Sequence, residues 1–217
     1  MPKTSLAAAL LLGLGTLALA GCSDKKERDK SSTKDRSEDD DDSEKKKPKR
    51  AVDAFKRRTV ITEAKNSVGA ISRAVLFAFE RESIVEGAPD NPVGHVLCKS
   101  ATPIPAKVPV GGESYRRKDD SGVDFQSGDA STGWTCLRFT YGSPIYFQYS
   151  YSIGGTPKLA ARGNDVGKGD PNFFEVCAEA DLEPGGKTTL ICNVGNVQTE
   201  TNTLRLGTEL VELDEED

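Results

Sequence analysis

Histidine occurs once in this chain, and the motifs that announce catalysis do not occur at all. The lone His95 sits in a Pro/Gly-rich stretch, where it reads as a surface residue rather than a catalytic one. No G-x-S-x-G elbow, phosphate-binding loop or zinc-protease signature is present. No C-x-x-C occurs either, so His95 and Cys98, three positions apart, lack the paired thiolates of a structural zinc site. Asp119, Asp120 and Asp124 form the nearest carboxylate cluster. They lie in a polar stretch with no sign of the burial that tunes an acid or base. The glycine pairs at 111–112, 154–155 and 185–186 read as turns. A net charge of −5 is modest and points to no nucleic-acid partner. The expectation is therefore a non-enzyme, with no catalytic residue, no cofactor and no metal.

Long apolar runs are equally scarce. The one that exists, Leu6 to Gly21, is shorter than the roughly 20 residues that cross a bilayer and has glycines and a threonine inside it. Lys3 before it and small residues after it fit an export signal better. Its last four residues, Leu19-Ala20-Gly21-Cys22, resemble a bacterial lipobox. That resemblance implies cleavage before Cys22 and lipidation of its sulfur and of the new amino group. One acyl chain holds a protein to a membrane only marginally. Three would hold it firmly. Ser23 stands where an aspartate often retains such proteins at the inner membrane, so the expected address is the outer membrane.

Beyond Cys22 the chain turns to charge. Residues 23–50 carry 11 Lys/Arg and 10 Asp/Glu in 28 positions and no aliphatic or aromatic side chain. Such a stretch has nothing to bury and reads as a disordered tether, on the order of 30 Å long as a coil. Its acidic run Glu38–Asp42 and basic run Lys45–Arg50 read as solvated charge. The organisation expected is a signal peptide at 1–21, a lipidated cysteine and tether at 22–50, and one domain at 51–217 with an acidic tail that frays.

Within that domain, Val60, Ala64, Val68, Ile71, Val75 and Phe79 recur every three or four positions, the period of one helix face. The helix is expected from about Val52 to Ser83 and is ended by Gly87, Pro89 and Pro92. Beyond it the period changes to two. In "WTCLRFTYGSPIYFQYSYSI", Leu137, Phe139 and Tyr141 alternate, and after Gly142-Ser143-Pro144 so do Ile145, Phe147, Tyr149, Tyr151 and Ile153. The pattern predicts an antiparallel hairpin. Two further strands are expected, at Phe173–Ala180 and Thr188–Val194, joined through Glu183-Pro184-Gly185-Gly186. The fold class is α+β, one long N-terminal helix packed on an antiparallel β-meander. Most of the tyrosine-rich stretch should pack against the helix, with Tyr146 the outward-facing candidate for an interface.

With Cys22 taken by lipid, Cys98, Cys136, Cys177 and Cys192 remain, an even number that points to disulfides in an exported domain. Three pairings are open. Adjacent strands favour Cys177 with Cys192, which leaves Cys98 with Cys136.

The segment "TEAKNSVGAISRAV" resembles type IV pilins just after their apolar stem. "CKSATPIPAKVPVGGESY", "GWTCLRF" and "PIYFQYSYS" resemble the head of Gram-negative pilin-like proteins. Gly163, Gly167 and Gly169, followed by Phe174-Glu175, keep the glycines of an ion-binding loop in that branch. Asn164, Val166 and Lys168 replace its aspartates, so calcium, which wants six to eight oxygens by roughly the usual count, is not expected. A lipobox and charged tether stand where pilins carry their leader and stem, so assembly as a conventional filament subunit is not expected either. The resemblance implies a pilin-like head on a membrane-anchored lipoprotein, with a structural or interaction role and with pilus or cell-envelope proteins as partners. The alternative is a lipid-anchored binding protein for a small ligand or polysaccharide.

Overall fold

The computed structural model describes residues 47–85, 90, 92–116, 124–155, 157–182 and 188–214, all within the compact unit Ser43–Asp217. Its longest element is α1, Lys47–Glu80. The periodic residues form its contact face: Ala64, Val68, Ile71, Val75 and Phe79 are all buried, while Val60 is half-buried. Burying each of the larger ones contributes roughly 1.5–3 kcal/mol. Ser72 lies on the same side, and its hydroxyl donates to the Val68 carbonyl at 2.8 Å, so this buried hydroxyl is paired.

The helix runs further back than its apolar pattern indicates. Lys47–Arg50, expected in the tether, belong to its first turn. Pro48 is tolerated there, because first-turn amides have no partner to lose, and lysine, arginine and alanine are good helix formers. The other end stops at Glu80, short of Ser83. There Glu82–Ile84 (β1) pairs antiparallel with Val93–His95 (β2) in a separate two-stranded sheet. Gly87 and Pro89, expected to end the helix, lie outside the described residues.

The main sheet is antiparallel throughout. Its order is β3 (Ala101–Ile104), β4 (Gln148–Ile153), β5 (Phe173–Asp181), β6 (Thr188–Gln198) and β7 (Thr203–Leu206). The last strand, β8 (Val211–Asp214), also pairs with β6. With eleven residues, β6 carries two partners in tandem on one edge: β7 beside 195–198 and β8 beside 189–192. The acidic end is thus a strand as far as Asp214, contrary to the fraying expected of it. Lys65 on α1 holds it further, with Nζ 2.6 Å from a Glu212 carboxylate oxygen.

Side-chain alternation splits this sheet into two faces. Tyr149, Tyr151, Phe174, Val176, Ala178, Ala180 and Ile191 join the core under α1. The opposite face carries a second apolar cluster in which Cys177, Leu190 and Cys192 pack under Leu159 of the short helix α3, Lys158–Ala161. Around it the face is polar but paired. Glu179 accepts from Lys158 Nζ at 2.7 Å and from Arg162 at 2.6 Å. Burial alone would raise its carboxyl, but the hydrogen bonds and charges of Lys158 and Arg162 hold it below the ordinary carboxylate range. At Gly195 on β6 the Phe174 ring approaches so closely that an added Cβ would lie 2.5 Å from it. Only glycine fits there.

The expected hairpin is not formed. Its second arm shortens to β4, while its first arm becomes α2, Gly133–Leu137, followed by an irregular stretch. Gly133 has φ +66°, and a Cβ there would meet the Ser127 carbonyl oxygen at 2.8 Å. Arg138, at φ 53° and ψ 35°, closes the turn in the left-handed region. These two left-handed residues wind the chain out of an extended path. The alternation of Leu137, Phe139 and Tyr141 serves a cluster of rings rather than a pleat.

Candidate functional site

The irregular stretch after α2 is held from behind. Trp134 is wholly buried, and its indole N–H donates to the Thr102 carbonyl of β3 at 2.8 Å. Two residues on, Cys136 is joined to Cys98, and the second disulfide joins Cys177 to Cys192 across β5 and β6. The pairing favoured from strand adjacency is the one formed. Arg81, just past α1, donates to the Cys136 carbonyl. Rings then stack outward from this base. Phe125 meets Trp134 edge-on at 5.0 Å and Phe139 at 5.5 Å, and Tyr141 lies 6.1 Å from Tyr149. Edge-to-face pairs of this kind add about 0.5–1.5 kcal/mol each beyond the area they bury.

The outer end of this ring stack forms one wall of a cleft, and α1 forms the other. The cleft encloses about 850 Å³ and is open to solvent. Phe139, Thr140 and Tyr141 line the loop side, and Arg58, Thr62, Glu63 and Asn66 are among the helix residues opposite. The walls are tied at one point, where the Tyr141 hydroxyl donates to Glu63 Oε1 at 2.6 Å. Burial raises the Tyr141 phenol, and the Glu63 hydrogen bond and charge raise it further, against a Ser67 hydrogen bond that lowers it. Among the described residues Glu63 is the one carboxylate lining the cleft, and it is engaged as an acceptor. Aromatic faces beside hydroxyls, an amide and a guanidinium suit a partner that offers both apolar and hydrogen-bonding groups. No nucleophile is paired with a base among these residues.

Four of the five tyrosines are pushed upward, and burial is the leading cause for each of them. Tyr115 is raised further by its 2.9 Å hydrogen bond to Asp124, while Tyr149 and Tyr151 are raised most. A raised native value means that folding favours the protonated phenol. This stabilisation is complete below the ordinary tyrosine value of about 10 and is lost as pH climbs through the higher native values. Ionisation of the deeply buried Tyr149 and Tyr151 should therefore coincide with loss of circular dichroism at alkaline pH. Ionisation of these two phenols in a still-folded protein would contradict this.

The remaining sequence candidates fall in separate places. Cys22, the recognition residues Leu19, Ala20 and Gly21, and the carboxylates Asp119 and Asp120 lie outside the described residues, as does the turn at 183–187. His95 lies in β2 rather than a loop. Its Nδ1 is 3.0 Å from the Phe79 carbonyl oxygen, so its N–H can satisfy one of the carbonyls left open at the end of α1. Cys98, its neighbour in the dismissed zinc pair, is consumed by the disulfide. Asp124 is buried, where exposure was expected. The same burial leaves Asp124 Oδ2 with no hydrogen-bond partner. Tyr146 is half-buried and packs against the main core.

Gly163, Gly167 and Gly169 all take positive φ in a turn region, and Lys168 there pairs with Asp165 at 3.1 Å. Glu175 follows on β5 with its oxygens accepting from the backbone N–H groups of Lys158 and Leu159. It also lies close to Cys177 and Cys192, but their sulfurs are bonded to each other and offer no thiolate. What sequence reasoning missed is the role of Trp134, the Glu63–Tyr141 tie and the cleft. The signal for the first was present: a large indole two residues before a cysteine, just after a glycine.

No protein-family model, curated protein or solved structure matches this chain.

Proposed function

We propose that this chain is a bacterial lipoprotein, held to the outer membrane through acyl chains on Cys22, whose folded part is a pilin-like head. It acts as a structural or interaction module and not as an enzyme, and its partners are pilus or cell-envelope proteins. The observation that carries the reading is an order of parts. A lipobox-like Leu19-Ala20-Gly21-Cys22 and a charged stretch precede a long helix whose apolar stripe lies on an antiparallel sheet. Three features support a rigid head: two disulfides, a paired polar network on the outer sheet face and a helix buried along one side. The cleft between α1 and residues 139–141 is the surface on which a partner would sit.

Replacing Cys22 with Ser should move the protein from the membrane fraction to the soluble one. Unchanged tight membrane association would defeat the anchor. Capture from detergent-solubilised membranes then separates the readings, with pilus or envelope proteins recovered by wild type and lost with Tyr141→Ala. The second reading, a binding protein for a small ligand or polysaccharide, is favoured by the cleft's mixture of aromatic faces with Thr62, Glu63 and Asn66. Retention of glycans rather than proteins, again dependent on Tyr141, would select it.

A further inference from the structure

The described side chains of α1 that precede its buried stripe have little core to join. From Ala54 to Thr59 every described side chain is exposed except half-buried Arg57, and burial becomes complete only from Ala64. Residues 47–59 thus extend the helix by about 20 Å, at 1.5 Å per residue, before it commits to the sheet. A helical stretch of that length is marginal in water without packing. Its composition is also unlike that of the rest of the chain. Residues 47–58 hold six Lys/Arg and one Asp, so the overall net charge of −5 combines +5 here with −10 elsewhere.

The arrangement along the helix sharpens this. Phe55 is 71% exposed. Thr59 stands four positions after it, so the two share a face by helical spacing, opposite the buried stripe. The exposed Lys56 and Arg58 border that face on its two sides. An exposed ring flanked by cations on both sides, in a basic helical stretch, is the pattern of a helix that lies in a membrane interface. Phosphates of anionic lipids would meet the flanking charges, and Phe55 would enter the acyl boundary. Chain length permits this: 24 residues separate Cys22 from Lys47, about 25–30 Å for a flexible chain. The acidic run Glu38–Asp42 would be repelled by the same surface, which confines contact to the basic arm.

We propose that the first turns of α1, residues 47–58, dock on an anionic phospholipid surface, with Lys56 and Arg58 on lipid phosphates and Phe55 inserted between them. This rests on the membrane-anchored reading above and adds a second attachment, one that fixes the head's orientation where acyl chains alone would leave it free to swing. The cleft, which begins at Phe55 and Arg58, then opens beside the bilayer.

The test uses the full chain inserted through its N-terminal part into two kinds of vesicle, one of phosphatidylcholine alone and one of phosphatidylcholine mixed with phosphatidylglycerol. Hydrogen exchange is read by mass spectrometry. Amides of 47–58 should exchange about tenfold or more slowly on the anionic vesicles, and high salt or the double variant Lys56→Glu/Arg58→Glu should remove the protection. Phe55→Ser should weaken it with the charges intact. Unchanged exchange in β5 and β6 verifies that each variant is folded. Equal exchange of the arm on both vesicles would overturn the proposal. So would protection that polyglutamate supplies and anionic vesicles do not, since the arm would then be a site for an acidic polypeptide. An unmodified Cys22 would defeat the lipid anchor while leaving this comparison readable, because a maleimide-bearing lipid coupled to the Cys22 thiol holds the chain to either vesicle.

Discussion

Replacing Cys98 and Cys136 together with alanine should lower the unfolding free energy by about 4 kcal/mol, the chain-entropy value for a loop of this length. The closed segment spans 38 positions and contains the stretch from β3 to α2. The described residues of this stretch between β3 and α2 have little regular pairing of their own, so their position depends on the crosslink. The Cys177–Cys192 bridge should matter less, by about 3 kcal/mol for its 15-position separation. Its two residues are also already registered opposite each other by the β5–β6 ladder. Denaturant titration of the two double variants checks the order. A larger loss at 177/192 than at 98/136 would mean that the ladder, not the loop, needs the covalent tie. A net domain stability of about 5–15 kcal/mol leaves the 98/136 variant folded but close to its limit.

Trp134→Ala should cost about 3–5 kcal/mol, the usual range for removing a large buried ring. The indole is wholly buried, packs against Phe125 and Phe139, and satisfies the Thr102 carbonyl. Its loss leaves both a void and an unpaired acceptor on an edge strand. Trp134→Phe separates the two effects: it keeps most of the volume and should recover the larger share, with a deficit of about 1–3 kcal/mol for the orphaned carbonyl. Because Trp134 and Cys136 share α2, their losses should not add. A triple variant that lost the simple sum would show that the indole and the bridge anchor the chain independently. The same substitutions should disturb the wall of the cleft, since Phe139 and Tyr141 rest on this base.

The parts of the fold legible in the sequence were those where one periodicity met one environment. The stripe from Val60 to Phe79 faces a single sheet, and β5 and β6 alternate between two different faces, so both patterns stand out along the chain. Elsewhere the pattern had another cause. Leu137, Phe139 and Tyr141 alternate because rings pack in a cluster, and two left-handed residues, Gly133 and Arg138, bend the chain in a way no strand template allows. The basic residues 47–50 read as tether because their density of charge masks their helix propensity. Asp124 read as exposed because its neighbours along the chain are polar, whereas its carboxylate accepts from Tyr115, nine positions back. The cleft was illegible because its walls are remote in sequence: Glu63 and Tyr141 are 78 positions apart.

The tandem pairing along β6 has a consequence for how this domain ages. A protease that removed the chain beyond Leu210 would leave all of α1 and both bridges in place, yet strip the partner from residues 189–192. That would bare a row of amide and carbonyl groups in the middle of a hydrophobic sheet, an open template for another copy to complete. Clipped copies are then expected to associate through this edge, which Val211–Asp214 cover in the intact chain.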